Sequence, residues 1–273
     1  MDTTTGSCSY IFSRIAPNIR QVRLDFVETI LSVGTGLEIP GRCGDTEDSL
    51  MVSSPFASSP NAFPPSVCGI LSGQHMYFES GDTGQDAGSV TVEKNAANFG
   101  RRFKIKVTYI EECNPLRPPS GCTQFFTGTS STIQSYNYEG RQLLENQLYS
   151  NCIRQEEGFC SYTVTESQEG SFRLSNSKFG QINCKNRPYL LIPRPHLLFA
   201  KKKGGEGNNS DMNCGSRLAE ATGATMPSSV TSDRTTPFAV GVRTVTSEDL
   251  DMFKKPILID EEGFSVKYVQ NPC

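Results

Sequence analysis

The amino-acid sequence predicts an all-β protein made of two antiparallel β-sandwich domains that are stabilised by disulfide bonds. Apolar residues recur at every second position in short runs, and clusters of Gly, Ser, Asn and Pro separate these runs, as is typical of antiparallel strands with one face in water. The 273 residues exceed the usual size of a single domain. Ten cysteines are spread along the chain without a Cys-x-x-Cys pair, which favours disulfides over a metal site.

The alternating runs define the predicted strands. Residues 22–26 and 103–109 place apolar side chains on one face and charged or polar side chains on the other, so each is expected in a sheet with one buried face. The series continues at residues 162–164, 172–174, 238–242 and 264–268. Residues 140–149 are the best candidate for a helix, and the segment is short.

A proline-rich segment divides the chain. Residues 112–120 contain three prolines directly after a long alternating run, and proline cannot donate to a strand ladder. We therefore expect a first domain at residues 1–111, a stiff linker at 112–120 and a second domain at 121–273. Three long loops, where binding residues often lie, are expected at residues 53–66, 201–213 and 222–236.

Composition argues against two classes of partner. The chain has 26 basic and 29 acidic residues and a net charge of -3, so nucleic acid is not an expected partner. No run reaches the 18 or more apolar residues of a membrane helix. The lysine run 201–203 could contact an acidic partner or a sulfated glycan, but a solvated loop is the preferred interpretation.

Catalytic and zinc chemistry also find little support in the sequence. The chain has only two histidines, His75 and His196, and no Gly-x-Ser-x-Gly motif accompanies either. We interpret both as structural residues and expect no enzyme activity. The closest cysteines are eight or nine positions apart, which is too far for the short spacers of structural zinc sites.

The two halves share a skeleton of motifs. Each half has a strand that begins Cys-x-Tyr-x-apolar, at Cys8 and at Cys160. Each then carries a cysteine, an apolar strand and a Cys-Gly pair before a final alternating run. These elements are Cys43 with Cys68-Gly69, and Cys184 with Cys214-Gly215.

This order of motifs resembles the CUB domain, a jelly-roll-like β-sandwich of extracellular proteins. The chain closes on a strand that looks like the family's Gly-Phe-x-x-x-Tyr, at residues 263–268, and residues 128–138 look like the opening of a second CUB domain. More narrowly, four stretches are similar to the tandem CUB-like proteins of arthropods, namely residues 23–26, 72–77, 99–103 and 270–273. The resemblance implies two disulfide-bonded, jelly-roll-like sandwiches.

The resemblance also implies a disulfide pattern. On the family pattern we expect Cys43 to pair with Cys68 and Cys184 with Cys214, while Cys122 pairs with Cys152 or Cys160. With Cys122 and Cys152 set aside, the remaining cysteines allow three connectivities, and the sequence does not choose among them. These four are Cys8, Cys113, Cys160 and Cys273.

The resemblance bears on the start of the chain and on its compartment. Cys8 already occupies the family's second cysteine position, so the first domain is expected to lack its opening strand, and Met1 to be internal to a longer precursor. The first eight residues have neither the basic nor the apolar region of a signal peptide. The arthropod pattern has a cysteine where this chain has Arg20, which leaves the partner of Cys8 open. We expect a secreted glycoprotein, with Asn208 in a glycosylation sequon.

Many CUB domains bind calcium through a Glu and two Asp residues at one end of the sandwich, and this chain keeps only part of that set. Asp48 matches one Asp, and Glu79 or Asp82 could supply another carboxylate. Ser32 falls near the expected Glu, and Pro188 stands at the Asp position of the second domain. We therefore expect no metal or other cofactor, with these three carboxylates as weak calcium candidates.

The resemblance implies a non-enzymatic extracellular binding or adhesion protein that contacts a protein or a glycan. An alternative is the non-catalytic recognition region of a larger secreted protease or zymogen, because CUB domains often accompany such enzymes. An intracellular scaffold would require ten free thiols. The sequence identifies neither the partner nor the oligomeric state.

Overall fold

The computed structural model describes residues 2–34, 41–55, 64–81, 84–180, 184–194, 211–233, 237–244 and 261–273. In these residues the chain forms sixteen β-strands and one short 3-10 helix, so the predicted all-β class is confirmed. The strands are β1 (Gly6–Ser13), β2 (Ile19–Ile30), β3 (Ser49–Ser53), β4 (His75–Glu79), β5 (Asp86–Lys94), β6 (Arg102–Glu111), β7 (Gln124–Phe126), β8 (Ser130–Gln134), β9 (Leu148–Ile153), β10 (Phe159–Glu166), β11 (Phe172–Arg173), β12 (Tyr189–Leu191), β13 (Met212–Asn213), β14 (Val230–Asp233), β15 (Phe238–Arg243) and β16 (Gly263–Pro272).

The strands form four sheets, two in each half of the chain. The first half, β1–β6, contains the sheets β1-β5-β3 and β4-β2-β6. The second half, β7–β16, contains the sheets β11-β16-β10-β14, with β8 also paired to β16, and β13-β12-β15-β9-β7. The pairings are antiparallel apart from the parallel pair β7 and β9. No helix among the described residues is long and apolar enough to cross a membrane.

The alternating pattern places the core where the sequence predicts it. On β2 the side chains of Val22, Leu24 and Phe26 are all buried, because alternate residues of a strand point to the same face. On β16 the buried set is longer and includes Phe264 and Tyr268, and this strand pairs with β10, β8 and β11. Strand periodicity therefore determines which side chains form the core.

The predicted helix at residues 140–149 is wrong. A 3-10 helix, Tyr138–Gly140, ends where the predicted helix would begin, and strand β9 starts at Leu148. Arg141 and Asn146 have φ angles of 54° and 55°, a left-handed conformation that a right-handed helix cannot include. The segment is a loop whose backbone groups bond to distant parts of the chain.

The two halves pack against each other along a contact that we call the junction. It comprises Gly41 and residues 64–77 of the first half and residues 123–147 of the second. The hydroxyl of Tyr136 donates a hydrogen bond across it to the carbonyl of His75 at 2.9 Å. One continuous cluster of buried apolar side chains includes members of both halves, so the junction is part of the hydrophobic core.

Asn137 holds the centre of the junction. Its Oδ1 accepts a hydrogen bond from the backbone amide of Ile70 at 2.8 Å, and its Nδ2 donates to the carbonyl of Gln142 at 3.0 Å. A Cβ atom at Gly69 would lie 2.0 Å from Asn137 Oδ1. Only glycine at position 69 allows this approach, so the contact between the halves is closely fitted.

Four disulfides stabilise the two halves. They are Cys43–Cys68, Cys122–Cys152, Cys160–Cys273 and Cys184–Cys214. The first, second and fourth are among the pairings that the resemblance implies, and Cys160–Cys273 is one of the pairs that the sequence left open. It closes a loop of 113 residues, which stabilises by about 5 kcal/mol in the chain-entropy model. Cys8 and Cys113 form no disulfide within the chain.

A buried ion pair organises the first half. The side chains of Asp48 and Arg101 are both fully buried, and Arg101 Nη2 and Nε donate to the two carboxylate oxygens at 2.9 and 3.0 Å. The carboxylate also accepts from the amides of Ser32 and Ala96, while Arg101 Nη1 donates to the carbonyl of Thr4 at 2.7 Å. Burial alone would raise the pKa of Asp48, but these hydrogen bonds and the guanidinium charge hold it below its usual value.

Breaking this ion pair is expected to destabilise the protein strongly. The substitution Asp48→Ala leaves a guanidinium buried without a counter-charge, which costs about 3–5 kcal/mol. The control Glu28→Ala breaks the exposed pair with Arg102, whose side chains are 48% and 45% exposed, and should cost less than about 1 kcal/mol. Urea unfolding of the three proteins measures both losses, and equal losses would contradict the assigned role of Asp48.

Candidate functional site

A groove of about 240 Å³ opens at the surface beside the junction. Its first-half wall is strand β4, with Tyr77, Phe78 and Glu79. Its second-half wall is formed by the ends of β9, β12 and β15, and residues 121–123 form its floor. Because both halves contribute a wall, the groove exists only in the packed protein.

Strand alternation and one glycine shape the second-half wall. Leu190 on β12 is fully buried, whereas its neighbour Leu191 is 38% exposed and faces the groove. Leu191 pairs with Gly241 on β15, where a Cβ atom would lie 3.1 Å from the Leu191 Cβ. Leu148, at the start of β9, is 58% exposed. The wall therefore presents two leucines, and the side chain of Leu191 packs against Gly241.

The floor is fixed to both walls by the backbone and by a disulfide. The amide of Tyr77 donates to the carbonyl of Thr123 at 2.7 Å, and the amide of Thr123 donates to the carbonyl of Ser150 at 2.9 Å. The disulfide Cys122–Cys152 joins the same segment to β9. These contacts hold the two walls at a constant separation.

Polar groups at the first-half wall are already held in place. Arg23 Nη1 donates to the Tyr77 hydroxyl at 2.8 Å, and its guanidinium carbon lies 5.3 Å from the ring centre. Asp25 accepts from Arg23 at 2.6 Å. Burial would lower the pKa of Arg23, but Asp25 and Tyr77 raise it above its usual value. Gln21 Nε2 donates to Glu79 at 2.8 Å, so the groove is preorganised.

His75 lies behind this wall and has the structural role that the sequence predicts. Its Nε2 accepts a hydrogen bond from the amide of Phe125 at 2.9 Å, and its ring lies 5.2 Å from that of Phe126. Burial, and then the charge of Arg23, lower the pKa of His75 to about 4. The imidazole is therefore neutral at physiological pH and acts as an acceptor between the halves. His196 lies outside the described residues.

Two of the three calcium candidates, Asp48 and Glu79, have other contacts in the structure. Both carboxylate oxygens of Asp48 accept hydrogen bonds from Arg101, and Glu79 lines the groove instead. Asp82 lies outside the described residues. Within the part of the chain that the structure describes, no group of three or more His, Cys, Asp or Glu side chains is placed to hold a metal ion. The sequon at Asn208 and the lysine run 201–203 also lie outside the described residues.

The groove residues were not predicted from the sequence. From the sequence, Leu148 falls in the candidate helix at residues 140–149 and Leu191 in a short apolar run. Their exposure depends on which sheet each strand joins and on how the halves pack. A signal that could have found them is the absence of a side chain at Gly241, opposite Leu191.

The neutral state of His75 predicts a pH-dependent stability. Its pKa is about 4 in the folded chain and ordinarily 6.5, so between these values the unfolded chain binds more protons. The contribution of His75 is therefore present above pH 6.5 and is lost as pH falls towards 4. The variant His75→Gln keeps a hydrogen-bond acceptor but cannot titrate. As pH falls from 7 to 4.5, its free energy of unfolding should therefore decrease by up to about 3 kcal/mol less than that of wild type. Urea unfolding at pH 4.5 and 7 tests this, and parallel profiles for both proteins would contradict it.

Comparison with known proteins identifies the family. Residues 119–271, more than half of the chain, match the family model of the animal CUB domain. Among solved structures, the chain is similar to the CUB1-EGF-CUB2 domain of human MASP-1/3, with 11% identity and a TM-score of 0.29 over 98% of this chain and 94% of that one. No curated protein matches the chain. The match over residues 119–271 shows that this chain belongs to the animal CUB domain family.

Proposed function

We propose that this protein is a non-enzymatic extracellular binding protein whose groove beside the junction receives a partner protein. The single observation that carries the proposal is a preorganised, partly apolar groove with Leu148 and Leu191 exposed at its rim. CUB domains are generally non-catalytic binding modules of extracellular proteins. Membership of the family and four disulfides indicate an extracellular protein.

The lining favours a protein partner over a glycan. Two exposed leucines, Leu148 and Leu191, offer apolar surface, whereas a sugar needs many polar groups that converge on it. The volume of about 240 Å³ is below the roughly 300–1,000 Å³ of pockets that enclose drug-sized ligands. A groove of this size fits one or two apolar side chains that project from a partner surface.

We further propose that the protein works as a tandem unit, with CUB-like domains at residues 1–111 and 121–273 and a linker at 112–120. Two contacts support a fixed arrangement. Gln21 Nε2 donates to the carbonyl of Pro118 at 3.1 Å, which ties the linker to β2, and Asn137 joins the halves at the junction. If the halves turned independently, the groove would lose one of its walls.

Site-specific crosslinking tests this function. A photoreactive phenylalanine analogue is placed at Leu191, at Leu148 or, as a control, at Met226, which is 74% exposed and does not line the groove. Each protein is irradiated in extracellular fluid from its natural source. We expect one discrete partner protein to be crosslinked from positions 191 and 148, and not from 226.

The partner is then purified and titrated against the variants Leu191→Asp and Met226→Asp. A buried carboxylate at position 191 should weaken binding by about tenfold or more, as expected at an interface hot spot, and Met226→Asp should bind like wild type. Equal binding by both variants, or crosslinking from all three positions alike, would overturn the proposed groove.

A further inference from the structure

Two buried carboxyl groups, one within the junction and one beside it, do not line the groove. Glu145 and Glu261 are only 6% and 9% exposed. Neither carboxyl oxygen of Glu145 has a hydrogen-bond partner among the residues that the structure describes. A buried carboxylate without donors is costly, because it has lost its water without gaining other hydrogen bonds.

Main-chain hydrogen bonds bring these two residues close together beside the first half. The amide of Glu145 donates to the carbonyl of Gly41, across the junction, at 3.0 Å, and the amide of Leu143 donates to the carbonyl of Glu261 at 2.8 Å. A Cβ atom at Gly41 would lie 2.0 Å from the carbonyl oxygen of Leu143. The main chain of Glu145 is thus bonded to the first half, and that of Glu261 is bonded to Leu143, two residues before Glu145.

The charges that face the pair are those of two arginines and of the pair itself. Burial raises the pKa of Glu145 to about 7, against an opposing effect of Arg42. Burial raises the pKa of Glu261 to about 8; Arg187 opposes the shift and Glu145 adds to it. Arg42 forms its ion pair with Asp45 at 3.1 Å, so its guanidinium is shared.

We propose that Glu145 and Glu261 form a proton-controlled lock of the junction, which is closed while both carboxyls are protonated and loosens when they ionise. Ionisation would place two negative charges in closely packed surroundings where the carboxyl oxygens of Glu145 lack donors. A bound metal cation is a poorer explanation, because no group of three or more His, Cys, Asp or Glu side chains among the described residues is placed to hold one.

The two pKa values determine the direction in which the stability of the fold changes with pH. Both pKa values lie above the ordinary value of 4.5, so the folded chain binds more protons than the unfolded chain between pH 4.5 and about 8. The stabilisation is fully present below pH 4.5 and is lost as pH rises through 7 and 8. His75 acts in the opposite direction below pH 6.5, so wild type and variants must be compared at the same pH.

The test compares wild type with the double variant Glu145→Gln and Glu261→Gln, in the full disulfide-bonded chain. Glutamine keeps the shape and cannot ionise. The control is Glu157→Gln, at an exposed position outside the junction. Between pH 5.5 and 8.5 the folding equilibrium constant of wild type should fall by about tenfold or more relative to the double variant, and the control should follow wild type.

Hydrogen exchange gives an independent readout. The protection factors of the Leu143 and Glu145 amides should fall at pH 8.5 in wild type and in the control, and should hold in the double variant. If the double variant does not fold, the single variant Glu261→Gln and the wild-type exchange profile still decide the question. Identical pH profiles for wild type and the glutamine variants would overturn the lock. Restoration of wild-type stability at pH 8.5 by millimolar calcium, reversed by EDTA, would also overturn it in favour of a cation site.

Discussion

The contact of Asn137 with the backbone at Gly69 and Ile70 is the constraint on which the rest of the structure depends. The amide side chain of Asn137 satisfies one backbone group in each half, and it can approach because Gly69 has no side chain. Such a contact is specific, because a buried amide that loses its partner costs free energy while a shifted packing offers no replacement. The two halves therefore have one preferred arrangement.

The groove and the carboxyl pair both follow from this arrangement, on different parts of the same contact. At the groove, β4 of the first half meets the outer ends of β9, β12 and β15, and apolar side chains remain exposed. At the carboxyl pair, main chain packs closely around two acidic groups.

Two buried carboxyl groups, those of Asp48 and Glu145, have contrasting surroundings. Asp48 is fully buried, and its two oxygens are supplied with donors by Arg101 and by backbone amides. Glu145 is almost as deeply buried and has no such donors. The first arrangement holds the carboxylate ionised and stabilises a fold, whereas the second favours the protonated form. The position that resembles a calcium ligand, Asp48, is thus neutralised by an arginine of the same chain.

The sequence by itself determined the all-β class, the strand faces and the order of the cysteines, because strand periodicity and covalent order are local properties. Val22, Leu24 and Phe26 are buried as their alternation predicts. The sequence did not show that residues 141–147 form a loop, since the amides of Leu143 and Glu145 bond to distant segments of the chain. Nor could it choose Cys160–Cys273 over the other possible pairs or show the groove at Leu191, because each requires strands far apart in the chain to be brought together. Only the tertiary structure decides which groups meet, and the free energy of burial depends on that meeting.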